Sequence, residues 1–165
     1  MPIPGLPQGP RSLVYKRIVD QLKTDPILST VVKTWFVWTE NPKYGLLGQT
    51  EPEMPALKLT PQLGPGAWYS PDAQAGDLNI AVELGVNTYH AGDCLDFQDA
   101  IERAVYPFND RSKQLGFEQQ MRNVGCETGQ ITFTQPASIQ QIDNAAGLMV
   151  CLGVMSVRII RAFNP

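Results

Sequence analysis

The chain has 165 residues, enough for one domain with a sizeable core and too few for two comfortable ones. Its 43% hydrophobic content suits a globular fold, while charged residues stand at 18%, below the usual quarter, beside 14 glycines and 14 prolines. A net charge of -3 argues against a dedicated nucleic-acid binder, which would carry a basic patch or stripe.

Residues 1–11 form a separate segment, because MPIPGLPQGP holds four prolines and two glycines and cannot start a helix early. It reads as extended: either a disordered tail, or an arm lying on a neighbouring subunit with Ile3, Pro4, Leu6 and Pro7 as contacts. Residues 12–165 then form a single domain. Ser12 is the expected cap of a first helix in which Leu13, Val14, Ile18, Val19 and Leu22 recur three and four apart. Asp25-Pro26 restarts the chain, and Ile27, Leu28, Val31 and Val32 predict a short second helix folded back on the first. Lys33 to Thr39 is aromatic and β-branched, hence a strand. Trp35 and Trp38, at odd separation, fall on opposite strand faces.

Residues 40–54 predict a long loop, residues 56–60 a strand closed by Pro61, and residues 62–76 a second long loop carrying Trp68 and Tyr69 at its tip. Loops of this length are commonly functional, and exposed aromatics mark a contact surface; the competing reading folds the rings back over their own core. From Asp77 to Thr88, Ile80, Val82, Leu84 and Val86 alternate with smaller or polar residues, the mark of a half-buried strand. After a turn at residues 89–92, Asp93 is the expected cap of a helix through Cys94, Phe97, Ile101, Ala104 and Val105, ended by Pro107. Residues 107–129 are polar and mixed and read as a loop with a short helix. Residues 130–135 form a strand, and residues 138–146 a linker or a helical turn. Leu148 to Phe163 is apolar at successive positions and reads as a long strand buried on both sides, with a helix as the rival. The longest apolar run, Leu148 to Val157, is too short to span a bilayer. No basic stretch followed by an apolar core opens the sequence, so no signal peptide is expected. The result is an α+β fold: a mixed, largely antiparallel sheet with helices packed on one face.

Chemistry is sparse. None of the glycine-rich phosphate loops, nucleophile elbows or zinc-protease motifs occurs. Three widely spaced cysteines (Cys94, Cys126, Cys151) and one histidine make neither a disulfide framework nor a zinc site. They imply buried reduced thiols in a soluble cytosolic setting. The one constellation that could react is His90-Ala91-Gly92-Asp93-Cys94, where a helix N-terminus and a nearby imidazole would activate the thiol. Against this, Cys94 shares the register of Phe97 and Ile101 and belongs to the buried face. No catalytic residue, metal or cofactor is assigned. Arg158 and Arg161, at odd separation on the last strand, face opposite ways, as surface charges or as partners in an intersubunit ion pair.

The opening Arg17-Ile-Val-Asp-Gln-Leu-Lys-Thr-Asp-Pro-Ile-Leu leads into a strand ending in aromatics. Pro55-Ala-Leu-Lys-Leu, the strand Ile80 to Val86, a turn with Gly92-Asp93 into a helix, and a closing strand follow. This order resembles the tail terminator, or tail completion, proteins of long-tailed bacteriophages, over most of residues 12–163. The resemblance implies a small α+β subunit without catalysis. Such subunits form a homo-oligomeric ring, usually hexameric, that caps the tail tube and meets the head connector or neck proteins. Genomic DNA would pass through without sequence-specific binding, and no membrane would be involved. It also implies a virion protein assembled in the host cytoplasm. Another neck or tail-assembly component is the near alternative, and a small enzyme using Cys94 with His90 the distant one. The expected subunit contacts are Ile3, Pro4, Leu6, Pro7, Trp68, Tyr69, Arg158 and Arg161. The chain departs from the family in its Pro-rich start and its long stretches at 40–54, 62–76 and 107–129.

Overall fold

Three helices and a mixed sheet make up the computed structural model, which describes residues 4–5, 9–37, 53–70, 73–86, 91–105, 118–119, 122–123, 126–128, 131–133, 138–141 and 148–162. In chain order these give α1 (Pro10–Thr24), α2 (Leu28–Val31), β1 (Thr34–Val37), β2 (Ala56–Ser70), β3 (Ala73–Val86) and α3 (Ala91–Val105). Then come β4 (Cys126–Thr128), β5 (Thr132–Phe133), β6 (Ser138–Gln141) and β7 (Leu148–Ala162). The sheet has seven strands in the order β1-β2-β3-β7-β4, with β5 and β6 also paired to β7. β1 runs parallel to β2; every other pairing is antiparallel. This is the expected α+β class with a mixed, largely antiparallel sheet.

The alternation read from the sequence sets the core. Leu78, Ile80, Val82, Leu84 and Val86 are all buried on β3, opposite Leu57 and Leu59 of β2 and Met155 and Val157 of β7. Against this face pack Val14, Ile18, Val19 and Leu22 of α1 and Cys94, Ile101 and Val105 of α3, in one continuous cluster. Burial of each such side chain contributes about 1.5–3 kcal/mol, so the cluster, not helix propensity, holds the helices to the sheet. Two polar contacts fix their placement. The Tyr15 hydroxyl donates to the Leu59 carbonyl at 2.8 Å, and the Gln21 amide donates to the Ala104 carbonyl at 2.9 Å, satisfying an otherwise orphan acceptor at the end of α3. No helix among the described residues is long and apolar enough to cross a membrane.

Several expectations require correction. α1 begins at Pro10, not at Ser12: Gly9 is the cap residue, and proline suits a first turn whose N–H groups lack helical partners. Asp93 is not a cap either, since α3 starts at Ala91 and Asp93 lies within its first turn, where its charge favours the helix dipole. The largest correction concerns residues 62–76. Instead of a loop, β2 and β3 continue as a long hairpin, paired as far as Ser70 with Ala73. Pro61 does not close β2. β1 ends at Val37 opposite Leu59, so beyond that point β2 has no described neighbour on its other side, and an edge tolerates proline. Pro65 falls within a register shift between Leu63 and Gly66, where bulges relax the need for a ladder donor.

Residues 126–128, assigned to a loop, form β4; helical turns occur at 118–119 and 122–123. Residues 138–141, assigned to linker or helical turn, form β6 along β7. β7 itself is the expected long strand, but it is not buried on both sides: Arg158 is exposed and Ser156 and Ile160 are half-buried on the face away from the core. Val82 pairs with Gly153 but Glu83 pairs with Cys151, so β7 holds one extra residue there, a β-bulge. Even-numbered residues of β3 therefore pair with even-numbered residues of β7 before the bulge and with odd-numbered ones after it, where Met155, Val157 and Ile159 are buried. Gly153 adopts φ +120°, a conformation that side chains disfavour, and this lets the parity change.

Candidate functional site

Asp25 builds the most distinctive surface. Its Oδ1 accepts from the backbone N–H of Ile27 at 3.0 Å and of Leu28 at 2.9 Å, so the one-turn helix α2 is pinned at its start. A single turn can bury only one side of its apolar pairs. Leu28 and Val32 go into the core, leaving Ile27 54% and Val31 38% exposed. These two form one wall of a groove of about 390 Å³, with Phe97 and Ala100 of α3 opposite and Pro55 and Val86 at the floor. Its charged lining residues are Asp93 and Asp96, both exposed and both acidic. Leu95 beside them is 61% exposed, so the exposed large hydrophobic side chains among the described residues all lie on α2, its lead-in and the first turns of α3. Apolar surface concentrated in this way marks an interaction site.

Next to the groove, Cys94 faces inward and is only 3% exposed. Burial, with the charge of Asp93 second, pushes its thiol above the ordinary value of 9.0. That is opposite to what a nucleophilic cysteine needs. His90, its supposed base, lies outside the described residues, and among those residues no three His, Cys, Asp or Glu side chains gather as a metal site.

The sheet face opposite the core carries a second pattern. Lys58 Nζ meets Glu83 Oε2 at 3.5 Å across β2 and β3, and Arg158 Nε meets Asp77 Oδ1 at 3.1 Å across β7 and β3. Each pair is directly opposed in the register, the arrangement that favours unlike charges on neighbouring strands. Lys58 and Arg158 are therefore both matched within the chain.

The sequence-derived contact residues fall in separate places. Pro4 stands in an exposed turn with Gly5, while Ile3, Leu6 and Pro7 lie outside the described residues. Trp68 pairs with Gln74 near the hairpin end, and Tyr69 sits in the register shift beside it. Arg158 is engaged with Asp77, and Arg161 pairs with Gln74 on one side and Cys126 on the other. The groove residues Ile27, Val31 and Phe97 escaped sequence reasoning. The available signal was the doublet pattern Ile27-Leu28 and Val31-Val32, more apolar surface than one turn can bury.

No protein-family model matches this chain, and no curated protein matches it either. Among solved structures, its fold is similar to a chain described as "Virion of native gene transfer agent (GTA) particle". The TM-score is 0.52 at 11% identity, over 88% of this chain and 91% of that one. At that identity the likeness is one of fold.

Proposed function

We propose that this chain is a structural virion protein, a tail terminator whose copies form a ring, hexameric as in the family it resembles, capping the tail tube and joining it to the head connector. The observation that carries this reading is the fold likeness, nearly end to end in both chains, to a component of a gene transfer agent virion, a phage-like particle. The exposed apolar groove supports it, since a subunit that functions alone has no use for Ile27 and Val31 in water. A chain of net charge -3 repels a polyanion on balance, which suits passage of the genome without sequence-specific binding. A role as another neck or tail-assembly protein draws on the same observations. The enzyme reading is disfavoured by the buried, raised thiol of Cys94.

Light scattering with negative-stain microscopy of the purified protein tests the proposal. Closed rings, or addition of the protein to the ends of purified tail tubes, are expected. A protein that remains monomeric at high concentration and adds to neither tube nor connector would overturn it.

A further inference from the structure

The start of α1 and the groove lie toward opposite ends of β3. Arg11, just inside α1, donates from Nε to the Asp77 carbonyl at 3.2 Å, whereas the groove floor is at Val86 on the same strand. Those nine steps along β3, from 77 to 86, span about 30 Å at roughly 3.4 Å per residue. Fully extended, the five steps from Arg11 back to Leu6 reach at most about 18 Å, and the eight back to Ile3 at most about 29 Å. The turn at Pro4–Gly5, with Gly5 at φ +82°, shortens the second figure further. Leu6 and Ile3 of one chain therefore fall short of that chain's own groove.

Nor is the described part of the arm seated on its own chain. Pro4 and Gly5 are exposed, and a Cβ placed on Gly5 or Gly9 would meet nothing within 4 Å. Resting on the ring reading above, we propose that the groove between α2 and α3 receives residues 1–8 of a second copy, with Ile3 and Leu6 as the inserted side chains. No side chain of residues 1–9 is ionisable, so insertion of Ile3 and Leu6 into an apolar groove desolvates no charged side chain. The prolines of this segment restrict the backbone in advance, which reduces the entropy lost on docking. Behind the arm come Arg11, Lys16 and Arg17, with no acidic residue before Asp20. The basic start of the incoming α1 thus approaches the acidic rim of Asp93 and Asp96 with opposite sign. A contact between two different ends is heterologous, and repeated with the right rotation it closes a ring.

The test uses the full chain in three forms: unchanged, with Ile3→Asp and Leu6→Asp together, and with Ile27→Asp and Val31→Asp together. Ile27 and Val31 are exposed, and circular dichroism verifies that each form folds. A labelled peptide of residues 1–9 is titrated into the arm variant, whose groove is intact, and into the groove variant; self-association of all three is followed by sedimentation and light scattering. The peptide is expected to bind the arm variant and to lose about ten-fold or more in affinity for the groove variant, about 1.4 kcal/mol per decade. Both double variants are expected to need about ten-fold more protein to assemble. Equal peptide binding to both forms, or none, overturns the proposal, as does a groove variant that assembles like the unchanged chain. In those cases rings formed by the unchanged chain leave the terminator reading standing. A groove variant that still forms rings but no longer joins purified tails gives the groove to a different protein and also overturns the proposal. Conversely, saturable, groove-dependent peptide binding to an unchanged chain that never forms rings supports the arm–groove contact while removing the ring.

Discussion

Replacing Gly153 with alanine isolates the bulge that changes the pairing parity between β7 and β3. Gly153 sits at φ +120° in the middle of the sheet, paired with Val82 of β3. A non-glycine residue held in such a region costs on the order of 1–3 kcal/mol. Relaxing that strain would mean moving the bulge, which shifts residues such as Met155 and Val157 out of core register, and loss of a single buried aliphatic contact set costs about as much or more. The cheaper outcome is therefore to keep the register and bear the strain. We expect Gly153→Ala to lose about 1–3 kcal/mol, which at a urea slope near 2 kcal/mol/M moves the unfolding midpoint down by roughly 0.5–1.5 M. The assay is urea unfolding by tryptophan fluorescence, at a concentration where light scattering shows monomer so that assembly does not enter the midpoint. Ligation at Cys151 permits D-alanine at position 153, which takes positive φ without strain and should restore most of the loss. A Gly153→Ala midpoint within about 0.5 kcal/mol of the unchanged chain, or D- and L-alanine behaving alike, would refute the role given to the bulge.

Other outcomes follow from burial and capping. Ile101→Ala, at a fully buried position of α3, should cost about 2–5 kcal/mol in urea unfolding, whereas Leu95→Ala on the same helix should stay within about 0.5 kcal/mol. Asp25→Ala removes the acceptor of the Ile27 and Leu28 N–H groups; about 0.5–2 kcal/mol of stability should go, with faster amide exchange confined to α2. Cys94 should resist alkylation at neutral pH until denaturant is added. Its folded thiol titrates above the ordinary value of 9.0, so above that pH the unfolded chain releases a proton that the folded chain keeps. Stability should therefore be level with respect to this group below about pH 8 and fall as pH rises through and beyond 9.0, a decline that Cys94→Ala should flatten.

Much of the core was legible in the sequence because its periodicities are local. The alternation from Leu78 to Val86 and the three-and-four spacing from Cys94 to Val105 state, without reference to any partner, which side of each element is apolar. The resemblance to tail terminators rested on that same order of elements, whereas the fold likeness is to a gene transfer agent virion chain and is one of fold alone. The groove was harder to see. Nothing in Ile27-Leu28-Ser29-Thr30-Val31-Val32 says which apolar pair turns inward, since that depends on where α1 and α3 leave room.

Sequence alone determined the fold class, the middle of the sheet and the helices that cover it, since each follows from side-chain spacing within a few residues. Tertiary structure decided the rest. Pro61 and Pro65 break a strand only where a neighbour needs their missing N–H groups, and only the pairing reveals that β2 past Leu59 has no described neighbour there. The polar Ser138–Gln141 becomes β6 because β7 offers it a ladder, not because of its own propensity. The apolar run of β7 is resolved by a bulge whose position is set by the register with β3. In each case the deciding hydrogen bonds and contacts join residues far apart in the chain, and local spacing carries no record of them.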